Sequence, residues 1–184
     1  MASVNPPARL TLAMDLDRVE ALSDDLERIA EAHEEAAPLM RALVGHFKAG
    51  VPHYHRVSIY LLGGGELRLG PYAAPAAAPS PALPRLRLDQ GVCGAVARSG
   101  RAEIVADISA EARYLGGAPS SKSELVVPIL DGKTVLGVID IDSDQANAFN
   151  EHDQALLERA ASLIAGAMLR APKRPHWEQP EAIH

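Results

Sequence analysis

The stretch SELVVPILDGKTVLGVIDID, residues 123–142, decides the architecture. Glu124–Leu130 and Thr134–Asp142 are both rich in Val, Ile and Leu, and Asp131-Gly132 between them is a turn dipeptide, so the pair reads as a β-hairpin. Successive side chains of a strand point to opposite faces, which puts Asp140 and Asp142 on one face and Ile139 and Ile141 on the other. One face therefore suits packing on a helix, and the other carries charge.

The sequence on either side fits that frame. Downstream, Asn150 with Asp153 three residues on has the pattern of a helix N-terminus. Leu156, Leu157, Ala160, Leu163, Ile164 and Met168 then form the buried face of a final helix. At the other end, Asp15–Ala30 repeats Val19, Leu22, Leu26 and Ile29 at three- and four-residue steps, which predicts an amphipathic helix. A second helix is predicted over Ala36–Lys48, with Met40, Leu43, Val44 and Phe47 inward, ended by Gly50 and Pro52. Arg56–Leu62 and Glu66–Gly70 read as strands joined at Gly63-Gly64-Gly65. Residues 71–84 carry Pro71, Pro75, Pro79, Pro81 and Pro84 among alanines and read as an extended surface loop with polyproline character. Leu86–Leu88 and Glu103–Ile108 read as strands, Gly91–Arg98 as a short helix, and Ser109–Ser121 as an irregular loop of the kind that borders sites.

Helices at both ends with antiparallel hairpins between them predict an α+β fold. The terminal helices cover one face of the sheet, and the ligand loops lie on the other. Residues 14–171 are expected to form a single domain, with a disordered N-terminus over 1–13 and a flexible tail over 172–184.

Composition excludes several classes. The net charge of -6, without a cluster of Lys and Arg, speaks against a nucleic-acid groove. A single cysteine, Cys93, rules out an intramolecular disulfide and a multi-cysteine zinc site. It fits a reducing cytoplasm, and no apolar run has the length of a membrane span. Gly63-Gly64-Gly65 lacks the Lys-Ser/Thr of a phosphate loop. His46, His53 and His55 are read as surface residues rather than as a metal site.

Six segments in order carry a resemblance: Val57-Ser-Ile-Tyr-Leu-Leu62, Glu66-Leu-Arg-Leu-Gly-Pro-Tyr72, Gly91-Val-Cys-Gly94, Ser123-Glu-Leu-Val-Val-Pro128, Gly137-Val-Ile-Asp-Ile-Asp-Ser143 and Phe149-Asn-Glu-His-Asp153. Over about residues 55–167 the chain resembles a GAF domain, and more narrowly the free methionine-(R)-sulfoxide reductases. The resemblance implies a GAF-like antiparallel sheet. It places Glu124, Asp140 and Asp142 among substrate-contacting carboxylates and Tyr60 on a pocket aromatic. It also implies a free methionine sulfoxide or similar amino-acid-like ligand, a homodimer, thioredoxin or small thiols as partners if the protein is active, and no cofactor.

The thiols depart from the family pattern. Cys93 matches a resolving cysteine, Leu83 stands where a second would be, and Gly117 stands at the attacking position. Arg56 replaces an expected tryptophan. In such a reductase a thiolate attacks sulfur and becomes a sulfenic acid, which a second thiol condenses to a disulfide.

Three readings follow. The first is a GAF-fold binding protein without the usual three-cysteine activity. The second is a one-cysteine reductase using Cys93, whose thiol a helix N-terminus would acidify. The third is a redox or signalling sensor. Cys93 has a bland alternative as a small buried apolar residue. The paired aspartates have one as a solvated strand end, although the resemblance favours a pocket, where a ligand ammonium would offset their charge.

Overall fold

The computed structural model describes residues 14–75, 83–113, 115 and 120–170. Its strands are β1 (Arg56–Gly63), β2 (Glu66–Ala73), β3 (Arg85–Arg87), β4 (Glu103–Val105), β5 (Ser123–Asp131) and β6 (Thr134–Ser143). They form one six-stranded sheet in the order β3-β2-β1-β6-β5-β4, with each neighbouring pair antiparallel. The helices are α1 (Leu16–Ala32), α2 (Ala36–Gly50), α3 (Gly91–Ser99) and α4 (Glu151–Arg170).

The period-two pattern of the strands divides the interior into two cores. Val57, Ile59 and Leu61 of β1, Leu125, Val127 and Ile129 of β5, and Ile139 and Ile141 of β6 pack against α1, α2 and α4. Tyr60, Val126 and Val138 face the other way, into a smaller cluster with Val92, Cys93 and Val96 of α3. The α+β arrangement read from the sequence is thus the observed one, with α3 over the face opposite the terminal helices. The α1 stripe lies on this chain's own core: Leu22 and Leu26 are buried, and Val19 and Ile29 pack against the same cluster. None of the helices among the described residues is long and apolar enough to cross a membrane.

Several boundaries differ from the sequence reading, each for a local reason. β2 continues through Pro71 to Ala73 instead of stopping at Gly70. The β1–β2 register shifts between Ser58 and Tyr60, and an irregularity of this kind is where a strand tolerates a residue without an N–H. The β1–β2 turn is made by Gly64 and Gly65 alone, with φ 64° and 81°, as a two-residue hairpin loop requires. β4 ends at Val105 rather than Ile108, because the Asp107 carboxylate accepts from Ser109 N at 2.9 Å and starts a 3-10 turn over Ile108–Ala110. The proline-rich loop falls mostly, over 76–82, outside the described residues, as do the expected disordered N-terminus and flexible tail.

The start of α4 is built as read and then braced further. Asn150 Oδ1 accepts from the backbone N of His152 (2.8 Å) and Asp153 (3.1 Å), while Asn150 N donates to Asp153 Oδ2 at 3.0 Å. The other oxygen of Asp153 meets His53 Nε2 at 2.7 Å. His53 is therefore not a surface residue. It is buried at 5% exposure, with its ring edge-on to Tyr54 and tilted against Phe149. The contact ties the entry to β1 to the N-terminus of α4.

Candidate functional site

The face under α3 gathers the polar residues of three adjacent strands. In register, Asp142 of β6 stands between Arg56 of β1 and Glu124 of β5. One step along, Asp140 stands between Ser58 and Val126, and one further Val138 lies between Tyr60 and Pro128. Directly opposed side chains have Cβ atoms about 5 Å apart, so each row is a line of neighbouring groups. Arg56, Ser58, Tyr60, Glu124, Asp140 and Asp142 are all buried.

α3 supplies the roof and its thiol. Its first residue, Gly91, has φ 69°, a backbone conformation that L side chains rarely adopt. A Cβ on Gly94 would lie 2.6 Å from Leu88 O, so the helix seats directly on the chain that leads into it. That seat brings Cys93 Sγ and one carboxylate oxygen each of Glu124 and Asp140 within 4.8 Å of one another. One sulfur and two oxygens are donors a divalent cation can accept. The buried thiol would first have to release its proton, and the Arg56 charge nearby opposes a second cation.

Arg56 and Asp142 form the strongest contact of the site. The guanidinium donates to Asp142 Oδ2 from Nε at 2.7 Å and from Nη2 at 2.5 Å, with both side chains buried. The aromatic expected at this position is thus replaced by an internal cation for one of the three carboxylates. Three other polar atoms, Ser58 Oγ, Glu124 Oε2 and Asp140 Oδ1, are buried without a hydrogen-bond partner among the described residues. An unmet buried polar atom costs about 1–3 kcal/mol, which a ligand with complementary atoms would recover.

Electrostatics follows from this burial. Asp140 is raised from 3.8 to about 7, chiefly by loss of water and then by the charge of Asp142, with Arg56 pulling the other way. Glu124 is raised well above the ordinary carboxylate range by burial and by the charges of Asp140 and Asp142. The Cys93 thiol is pushed up as well, by burial first and then by Asp140, Glu124 and Asp142. This reverses the sequence-based expectation that the helix N-terminus would acidify the thiol: removal from water and three nearby carboxylates outweigh a partial charge. Burial, followed by Asp140 and Cys93, raises the Tyr60 hydroxyl too. Near neutral pH the site is therefore rich in protonated donors.

One consequence is testable through stability. Between about pH 4 and 7 folded Asp140 holds a proton that the unfolded chain has already released, so its contribution to stability falls as pH rises and is lost above 7. Asp140→Asn removes this titration. Unfolding free energies from urea melts should match wild type at pH 4 and exceed it above pH 7, by of the order of 4 kcal/mol. Parallel curves for the two proteins from pH 4 to 8 would refute the assignment.

The structure thus brings together five of the residues singled out in the sequence: Tyr60, Cys93, Glu124, Asp140 and Asp142. Leu83 is exposed at 44%, and Gly117 lies outside the described residues. The three histidines do not converge, since each meets a different aspartate: His46 with Asp25, His53 with Asp153 and His55 with Asp144. Sequence reasoning missed Arg56 and Ser58 as members of the site. Their spacing with Tyr60 along β1 put all three on one face, but which strand they would pair with was not readable.

Comparison with known proteins bears on the fold and the family. Protein YtsP of Bacillus subtilis is 31% identical over 157 residues, 83% of this chain and 88% of that one. The free methionine-R-sulfoxide reductase of Saccharomyces cerevisiae is 41% identical over 81 residues, 43% of this chain and 44% of that protein. Among solved structures, a type II free methionine-R-sulfoxide reductase from Thermoplasma acidophilum superposes with a TM-score of 0.67 at 29% identity, over 76% of this chain and 94% of that one. Residues 26–168 match the GAF domain. On its sheet order, its sequence and its relatives, the chain belongs to the GAF domain family and is related to the free methionine-R-sulfoxide reductases.

Proposed function

We propose that this protein binds a small amino-acid-like sulfoxide, or a close analogue, under α3, and that it does not run a three-cysteine reductase cycle. The observation that carries the reading is the setting of Cys93: a buried thiol, raised by its surroundings, against Glu124 and Asp140. A thiol held protonated is a poor nucleophile. A sulfenic acid formed on it would have no second cysteine in the chain with which to close a disulfide. The donors that remain are suited to holding a polarised S–O oxygen. Tyr60 and Cys93 belong to the largely apolar cluster beneath α3, which suits the thioether end of such a molecule.

The test is turnover of free L-methionine-(R)-sulfoxide with dithiothreitol, beside calorimetric titration of the same compound. Wild type and Cys93→Ser are both expected to bind it and to show no turnover above the thiol blank. Turnover that disappears in Cys93→Ser would overturn the reading of a binding protein whose thiol is a poor nucleophile. It would establish a one-cysteine route in which the Cys93 sulfur takes the sulfoxide oxygen, releases the thioether and is reduced by the external dithiol. Absence of binding in wild type would also overturn it.

A further inference from the structure

Asp142 is the most enclosed carboxylate of the site, 1% exposed, with Glu124 on one side in register and Arg56 on the other. Its Oδ2 already accepts two N–H bonds from a guanidinium that is itself buried. An arginine cannot shed its proton to make way for another cation. A ligand ammonium brought to Asp142 would therefore meet a fixed positive charge where little water screens the repulsion. The rest of the wall offers donors: the Tyr60 hydroxyl, the Cys93 thiol and the acid forms of Asp140 and Glu124.

We infer that Arg56 is the specificity-determining residue of this pocket: it admits small molecules that place a hydrogen-bond acceptor or an anionic group beside the Arg56–Asp142 pair and disfavours those that place an ammonium there. This rests on the reading of the α3 face as the ligand site and narrows it. An acidic pocket by itself would select a cation, and the internal guanidinium cancels that selection at one of its three carboxylates.

Two probes that differ only in the amine decide the point: L-methionine-(R)-sulfoxide and its N-acetyl form, titrated into wild type, Arg56→Met and Arg56→Lys. Wild type should bind the N-acetyl form at least as tightly as the free amine. Arg56→Met should shift the affinity ratio toward the free amine by about tenfold or more, the scale of one removed like-charge contact. Arg56→Lys, which keeps the cation, should stay near the wild-type ratio. Binding by all three proteins at an unchanged ratio would overturn the inference while leaving the pocket reading intact.

If wild type binds neither probe, the sulfoxide reading fails and a ligand-free arm decides the role of Arg56. Methylammonium chloride should raise the Tm of Arg56→Ala, above a sodium chloride control of equal ionic strength, and should not raise that of wild type. Equal responses of the two proteins would overturn the inference.

Discussion

Replacing Gly137 with alanine should destabilise the protein by about 3 kcal/mol or more and disorganise the site with it. A Cβ at this position would lie 2.2 Å from Tyr60 O and 3.2 Å from Leu61 Cα. The obstacles are backbone atoms of the neighbouring strand, so no rotamer change relieves the contact. Gly137 pairs with Leu61 on one side and Ile129 on the other, so it sits where β1, β6 and β5 are stitched together. Pushing β1 and β6 apart there also moves Tyr60, Ser58 and Arg56 relative to Asp140 and Asp142. The expected result is a lower urea midpoint with an unchanged slope. Gly63→Ala is the control, because a Cβ there meets nothing within 4 Å and should change stability little. Equal midpoints for the two variants would contradict the close approach.

Asp142→Ala should cost about 3–5 kcal/mol, as does removing one member of a buried ion pair. The penalty comes mainly from the guanidinium left behind, which loses the acceptor of its Nε and Nη2 protons. It follows that the double variant Arg56→Met/Asp142→Leu should recover most of that loss, because apolar groups of similar size often match or exceed a buried pair in stability. Ligand binding should not return with it. Denaturation midpoints and calorimetry on the same three proteins separate the two effects. A double variant as unstable as Asp142→Ala would show that the cost lies in packing rather than in charge.

What the sequence revealed divides along contact range. The alternation of β5 and β6, the turn at Asp131-Gly132 and the capping pair Asn150 and Asp153 are local, and each appears in the structure nearly as read. Features that depended on a distant partner were misread or missed. His53 looks like a surface residue until Asp153, 100 residues on, is brought against it. Arg56 looks like the loss of an aromatic until the sheet order places it beside Asp142, 86 residues away. Cys93 is buried, as one reading of the sequence has it, but the direction of its acidity is reversed for the same reason. Its helix end is visible in the sequence, but the carboxylates that oppose it come from strands later in the chain. The acidic face of β6 was legible from its two-residue spacing, whereas its neutralisation from β1 was not.

The seat of α3 has one more consequence. Cys93 is the sole sulfhydryl of the chain and lies 4% exposed on the side of that helix packed on the sheet. At that exposure a soluble alkylating reagent should react with the sulfur slowly, at a rate set by local opening around α3. The labelling rate then reports on opening around this helix, read without any engineered probe. Its dependence on denaturant separates that opening from global unfolding. A compound lodged between the helix and the strands would slow the labelling in proportion to its occupancy, so the silent thiol can serve as the assay for whatever the pocket holds.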